Sequence, residues 1–282
     1  MSAVPRVAVI IPCFEEGALV VEAALSVQED EPVEIVVVDD ASSDEPTAQA
    51  LAELRERGVR IVTHARNSGL VAARMSGIDA STAPYVFNLD ADDLAVPGAL
   101  AAMADLLEDD PGAAVCFGDY AEFGDIEELR VVPRSLDPFR VAYWNEYPVA
   151  ALFRRAVLEE VGGWAATGRR LDSYADWDLW MSLAERGERG IHLGDGRPSF
   201  RYRIHGPRMF DAARREHPAL YAELKRRHPR LFAELREHRR RSGLNPVSKL
   251  LYPIVYGGRR RYAFEAPLRR RLRPLGAWRH QR

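Results

Sequence analysis

The sequence predicts an α/β fold with a mostly parallel central sheet and flanking helices. Three observations predict it. Unbroken runs of buried-type residues recur at 6–11, 34–38, 59–63 and 85–89, as expected of strands covered on both faces. Each run is followed by a stretch with helical spacing, and the short links imply right-handed βαβ units. Two of the runs end in grouped carboxylates, Asp39-Asp40 and Asp90-Ala91-Asp92-Asp93, at the strand ends where open α/β sheets bind ligands.

In chain order, Arg-Val-Ala-Val-Ile-Ile at 6–11 is the first strand, and Pro12-Cys13-Phe14-Glu15-Glu16-Gly17 is the turn at its end. Val20, Ala23, Ala24 and Val27 then share one helical face. The second strand, 34–38, ends in Asp39-Asp40, and Ala41-Ser42-Ser43-Asp44 supplies turn and N-cap chemistry for a helix over 46–57 that stops at Gly58. The third strand covers 59–63. The loop Arg66-Asn67-Ser68-Gly69 opens a helix over 70–80, and Tyr85 begins the fourth strand. Beyond Pro97 the pattern predicts a helix to about 108, a strand at 113–117, a hairpin-like excursion at 122–132 and a short helix at 138–143. Further on it predicts an apolar segment at 149–153, a short helix ending at Gly162-Gly163, a helix over 176–186 and strands at 191–193 and 199–204. A charged helical stretch covers 209–241.

Apolar residues make up 47% of the 282, enough for a sizeable core, which excludes a disordered chain. Two cysteines, Cys13 and Cys116, give neither a disulfide framework nor a zinc-ligand spacing, and suit a reducing cytoplasm. The start lacks the regions of a secretory signal, and no apolar run approaches the roughly 20 residues of a spanning helix. The net charge of −3 conceals an asymmetry: 241–282 holds 11 Lys/Arg against the single acid Glu265. An acidic body with a basic tail fits either a peripheral contact with an anionic membrane or a solvated tail.

The acidic end of the fourth strand has two readings. Asp90, Asp92 and Asp93 repel one another unless compensated, and a hard divalent cation shared with phosphate oxygens compensates such a cluster. Alternatively the three form a turn and cap before the helix that Val96-Pro97-Gly98 opens.

Six segments in register resemble the inverting glycosyltransferase family 2, over about residues 5–207. They are Val9-Ile10-Ile11-Pro12-Cys13-Phe14-Glu15-Glu16; Val36-Val37-Val38-Asp39-Asp40-Ala41-Ser42-Ser43-Asp44; Asn67-Ser68-Gly69-Leu70 with Ala73-Arg74; Leu89-Asp90-Ala91-Asp92-Asp93; Gly162-Gly163-Trp164 with Tyr174-Ala175-Asp176-Trp177-Asp178-Leu179-Trp180; and Tyr202-Arg203-Ile204-His205. Ala41 stands where the family usually has Gly, Met75 where Asn is common, and Ala175 where Glu usually precedes the Asp.

The resemblance implies a GT-A fold over 1–208, with a nucleotide-binding half over about 1–118 and an acceptor-binding half over about 119–208. A charged helical extension with a basic tail then covers 209–282. It implies transfer of a sugar from a nucleoside diphosphate donor, UDP- or dTDP-linked, to an acceptor hydroxyl with inversion. The acceptor is a glycan, a lipid-linked molecule or a small molecule, as in cell envelope polysaccharide synthesis. Asp39 would take the imide N–H of uracil or thymine, or cap the next helix, with Pro12, Phe14 and Glu15 lining that slot and Asn67 in the neighbouring loop. Arg74 would contact the nucleotide or pair with Asp39 and Asp90. Asp92, with His205 and Asp90, would hold Mn²⁺ or Mg²⁺, imidazole favouring manganese; a lone His at a strand end is otherwise a surface residue. Asp176 would be the general base, or an ordinary helix-start carboxylate. Trp164 and Trp177 would stack on an acceptor sugar or pack the core.

The tail, with Arg259-Arg260-Arg261 and Arg269-Arg270-Arg271, would contact anionic lipid headgroups, other subunits of a homo-oligomer, or solvent, so the expected place is the cytoplasm, peripheral at the inner face of the membrane; no nucleic acid is expected. A sugar nucleotidyltransferase would want a glycine-rich basic loop after the first strand, where this chain is acidic, and a dinucleotide dehydrogenase would want GxGxxG. A nucleotide-sugar-binding module without turnover is the non-enzyme alternative, suggested by Ala175.

Overall fold

The computed structural model describes residues 4–164, 169–194, 196–205 and 216–256. Its elements run β1 (Val7–Cys13), α1 (Leu19–Ser26), β2 (Val33–Asp39), α2 (Glu45–Glu56), β3 (Arg60–Thr63), α3 (Leu70–Asp79), β4 (Tyr85–Asn88) and β5 (Leu94–Ala95). They continue α4 (Ala99–Asp109), β6 (Ala113–Phe117), β7 (Asp119–Gly124), β8 (Glu128–Arg130), α5 (Pro138–Val141), β9 (Leu152–Arg154), α6 (Arg155–Glu160), α7 (Ala175–Arg186), β10 (Arg189–His192) and β11 (Pro198–Ile204). Four helices follow: α8 (His217–Arg227), α9 (Pro229–Ala233), α10 (Leu235–Arg241) and α11 (Pro246–Tyr256). The chain packs as two compact units. One holds Met1–Val131, Pro148–Asp172 and Gly190–His205; the other holds Val132–Tyr147, Ser173–Arg189 and Gly206–Arg282.

The first unit carries the expected α/β architecture. Its main sheet has the strand order β10-β6-β9-β4-β1-β2-β3. β1 is buried along its whole length and lies between β2 and β4, parallel to both. Its register fixes the rim: Cys13 lies level with Asp39 of β2, and the chain leaving β4 is held by Leu89 N–H donating to Ile10 O at 3.0 Å. Both acid-ended strands therefore finish beside the end of β1. β9 runs antiparallel between β4 and β6. The excursion at 122–132 is a β7–β8 hairpin as expected, but β7 also pairs in parallel with β11, in a second sheet ordered β5-β11-β7-β8. β5 was not legible in the sequence, because two residues carry no period.

Helices cover the main sheet where apolar spacing predicts. Pro at the start of α2 and the Asp44 side chain accepting from Thr47 N–H set that helix's beginning. α3 lies close on β1 and β2 because Gly77 has no side chain: a methyl there would run into Ile10 Cγ2 and come within 3.1 Å of Val38 Cγ2. Cys13 and Cys116 are both buried, and burial pushes each thiol up to about 12, so neither is a nucleophile at neutral pH.

Ala41, in the turn after β2, takes a left-handed backbone with φ +64°. That turn lets Ser42 N–H reach back to Asp39 Oδ1 at 2.9 Å. The methyl-bearing residue is strained where Gly would not be.

In the second unit α7 is the organising helix. Trp177, Leu179, Trp180, Met181, Leu183 and Ala184 are buried on it. Trp180 meets Tyr147, and Trp177 donates Nε1–H to Val141 O at 2.6 Å. One carboxylate is buried among these apolar residues, Asp178, 1% exposed. Arg227 grips it with Nε at 2.8 Å and Nη2 at 3.0 Å, and His228 Nε2 lies 2.9 Å away. Burial pushes the Asp178 carboxyl up, but the hydrogen bonds from His228 and Arg227 outweigh it and hold the group below its usual value. The expected helical extension is present as α8–α11; the boundary placed at 208 and the arginine clusters at 259–261 and 269–271 lie outside the described residues.

Two predictions follow from this packing. Ala41→Gly relieves the left-handed strain and raises stability by up to about 1 kcal/mol, read as a shift in urea midpoint at constant slope. Asp178→Asn leaves Arg227 without its buried partner and lowers stability by about 3 kcal/mol at neutral pH. Because the folded Asp178 value is depressed, its contribution is present above the unfolded carboxylate value of about 3.9 and is lost as pH falls through the folded one. The gap between wild type and variant in pH-dependent denaturation therefore narrows below about pH 4.

Candidate active site

The rim of the first unit gathers five carboxylates from two strand ends, and each has its own donor. Asp39 is 5% exposed and accepts from Ser42 N–H. Asp40 is buried beside it and ties down the 66–69 loop, accepting from Ser68 N–H at 2.8 Å and Gly69 N–H at 2.7 Å. The His64 ring bridges two partners, with Nδ1 2.6 Å from Asp40 Oδ1 and Nε2 2.8 Å from Ser76 Oγ. Asp40 is thus a loop anchor, and His64 is a supporting residue that no sequence spacing pointed to.

Arg74, 1% exposed on α3, donates Nη2–H to Asp90 Oδ1 at 3.0 Å, with its guanidinium 5.3 Å from the Trp164 ring centroid. Asn88 adds Nδ2–H to the same oxygen at 3.2 Å. Arg74 thus forms an ion pair with Asp90. Trp164 is 1% exposed, under Arg74 and edge-on to Phe153. Trp177, in the second unit, is 4% exposed and stacked on Tyr174. Both indoles therefore lie in packing, the alternative the sequence left open for them.

Asp92 and His205 come from segments 113 positions apart, and His205 Nε2–H donates to Asp92 Oδ2 at 2.8 Å. Their side chains are 29% and 49% exposed, so the pair faces solvent. Asp93 is the opposite: fully buried, accepting Arg203 N–H on Oδ1 at 2.8 Å, with Oδ2 unpartnered. Burial, then Asp90 and Asp92, push its carboxyl well above the usual range, with Arg203 opposing. Glu16, in the turn after β1, is raised by burial and then by Asp92, with His205 opposing and Asp90 adding. The sequence assigned no role of its own to Glu16, to Asp93 beyond its membership of the acidic cluster, or to Arg203. The last two had a signal, a third Asp after the pair and an Arg two residues before the His.

Pro12 is buried in β1, while Phe14 and Glu15 are exposed on the turn beyond it. That turn is stitched to the end of β2: Glu15 N–H donates to Ser42 Oγ at 3.0 Å, and Ser43 Oγ–H to Glu15 Oε1 at 3.0 Å. Asn67 is exposed on the loop that Asp40 anchors. Asp176 belongs to the second unit, half-buried in the first turn of α7, where the helix N-terminus favours a negative charge.

The donor chemistry can be tested for a metal. Among the described residues no group of three or more His, Cys, Asp or Glu is placed to hold an ion unaided. A solvent-facing carboxylate and imidazole 2.8 Å apart fit an ion that takes its remaining ligands from a bound diphosphate.

The profile described as Glycosyl transferase family 2 matches residues 8–162. The chain is 29% identical over 207 residues to the uncharacterized protein MT1568 of Mycobacterium tuberculosis, covering 64% of this chain and 63% of that one. It is 27% identical over 164 residues to the uncharacterized glycosyltransferase YwdF of Bacillus subtilis, covering 55% and 58%. It is 32% identical over 151 residues to the succinoglycan biosynthesis protein ExoO of Rhizobium meliloti, covering 53% and 40%. The match therefore spans less than two thirds of each relative's length. Among solved structures, S. aureus TarS superposes with a TM-score of 0.65 at 18% identity, over 97% of this chain and 47% of that one. Its 1–349 fragment in complex with UDP-GlcNAc superposes at 0.61 and 19%, over 97% and 78%. At that identity the likeness speaks for the fold, which is GT-A. With more than half of its length matched by the profile, and with the acid-ended strands in place, the chain belongs to glycosyl transferase family 2.

Proposed function

We propose that the protein transfers a sugar from a UDP- or dTDP-linked donor to an acceptor hydroxyl, with inversion, using Mn²⁺ or Mg²⁺. The observation that carries this reading is the solvent-facing Asp92–His205 pair beside the Arg74-bound Asp90, just past the end of β4, which β1 separates from β2 and its Asp39. The catalytic domain is assigned to about 1–208 and the extension to 209–282. Asp39 receives the base, in the slot bordered by Pro12, Phe14 and Glu15, with Asn67 on the adjoining loop. Asp90, held by Arg74, faces the ribose or the ion, and Asp92 with His205 holds the ion. A divalent ion bound there offsets the charge that grows on the departing diphosphate. Asp176 takes the proton of the acceptor hydroxyl as its oxygen bonds to the anomeric carbon. The bond from that carbon to the diphosphate breaks on the opposite face, and the configuration inverts. ExoO's name places it in succinoglycan biosynthesis, and a cell envelope polysaccharide intermediate is the acceptor class proposed here.

Nucleotide release from UDP- and dTDP-sugars, with and without Mn²⁺, tests this. Wild type releases nucleoside diphosphate only with metal. Asp176→Asn cuts turnover by about a hundredfold or more while still binding nucleotide, and Asp92→Asn loses the metal response. A wild type that binds nucleotide but never releases it is a binding module instead.

We further propose a peripheral contact, from the cytoplasmic side, with anionic lipid. Among the described residues no helix is long and apolar enough to cross a membrane. α11 buries Ser248, Tyr252 and Val255, yet leaves Val247, Leu250 and Ile254 62%, 58% and 52% exposed on its outer side. Lys249 Nζ donates to Arg240 O at 3.0 Å, which sets the exposed arginines of α10 beside that apolar stripe. Apolar side chains flanked by cations suit an interfacial helix. The full chain should sediment with phosphatidylglycerol vesicles and not with phosphatidylcholine ones. Changing Val247, Leu250 and Ile254 together to Glu should abolish sedimentation; retention would remove the helix from the contact.

A further inference from the structure

We infer that Arg203, clamped on Asp93, is a positioning residue that holds His205 against Asp92. This inference rests on the proposed role of that pair in holding a metal-bound nucleotide.

The segment carrying Asp92 and the strand carrying His205 are joined by little regular structure. The β5–β11 ladder has two residue pairs, Phe200↔Ala95 and Arg201↔Leu94. That is too short to fix the side chain of His205, which follows the end of β11 four residues past Arg201. Past the ladder, Arg203 takes over. Its backbone N–H donates to Asp93 Oδ1 at 2.8 Å, so a buried carboxylate stands in for the next ladder carbonyl. Its Nε–H donates to the carbonyl of Asp92 itself at 2.7 Å. Its Nη2 pairs with Glu22 Oε2 of α1 at 2.6 Å, and the guanidinium lies 4.6 Å from the Phe123 ring centroid.

One side chain therefore grips the main chain of the residue whose carboxylate meets His205, from a position two residues before His205. Asp93 is fully buried, so its end of the strap is fixed. The Arg203 side chain is 19% exposed and braced on both sides. Lysine has the charge but no fork, and could not serve Asp92 O and Glu22 at once. Supporting contacts of this kind are worth 10- to 100-fold in metal affinity where a metal binds.

Titration calorimetry of UDP with and without Mn²⁺ tests the inference, with thermal unfolding of the nucleotide-free protein alongside. In wild type Mn²⁺ should raise UDP affinity, and His205→Ala should remove that gain. Arg203→Ala and Arg203→Lys should each cut the gain about tenfold, and Glu22→Gln by a smaller factor. A residue serving stability alone would lower the melting temperature and leave the gain intact. If Arg203→Ala does not fold, Arg203→Lys and Glu22→Gln carry the test. A normal Mn²⁺ gain in Arg203→Lys, with the His205→Ala loss in place, overturns the strap and leaves the proposed function standing. Absence of any Mn²⁺ gain in wild type overturns both.

Discussion

Mutual repulsion among carboxylates at one rim is the constraint that shapes the first unit. Two like charges 4 Å apart at an effective dielectric near 20 repel by roughly 4 kcal/mol. Asp39, Asp40, Asp90, Asp92 and Asp93 are all placed by two strands that flank β1. The fold answers with a different donor for each: the Ser42 amide, the 66–69 loop with His64, Arg74, His205 and the Arg203 amide. The donors come from later elements, so the loop after β3, the helix α3 and the strand β11 are each held partly by a rim carboxylate. The charge cluster and the tertiary structure stabilise one another, and neither is intelligible alone.

The answers differ in kind, and the difference separates structure from chemistry. Asp40 and Asp93 are buried and accept from backbone amides, Asp40 on both oxygens and Asp93 on Oδ1. They shape the rim. Asp90 and Asp92 keep part of their surface open, at 26% and 29%, and pair with side chains that a ligand can share or displace. Five similar carboxylates in sequence thus divide into two that hold the backbone and two that face outward, with Asp39 buried at the end of β2.

Much of this was legible in the sequence. Strands covered on both faces announce themselves by unbroken apolar runs, and the bounds at 113–117 coincide with β6. The acidic ends of 34–38 and 85–89 marked the rim correctly because a parallel strand's last residues must face its carboxyl edge. Ala41 stood out against the family's Gly, and its φ of +64° supplies the reason a glycine suits that position. Other features depended on partners distant in the chain. β5 exists only because β11 pairs with it. His64 and Arg203 act on residues 24 and 110 positions away, and no local period reports such a contact. The burial of Trp164 and Trp177 was undecidable from the sequence for the same reason: an aromatic beside a glycine pair or on an apolar helix face reads alike in a core and at a ligand.

A two-donor metal site also carries a consequence for order of binding under the proposed reading. A complete protein cage binds its ion first and presents it to the substrate. Asp92 and His205 alone offer one carboxylate oxygen and one imidazole nitrogen, and those two atoms already bond each other. The hydrogen bond between them and the small donor count both weaken their hold on a lone ion. A nucleoside diphosphate supplies the missing oxygens and enough negative charge to make the exchange favourable. Ion and donor should then arrive as a complex. The strap formed by Arg203 matters under that scheme because it keeps the two protein donors in reach of a ligand set that assembles only on arrival.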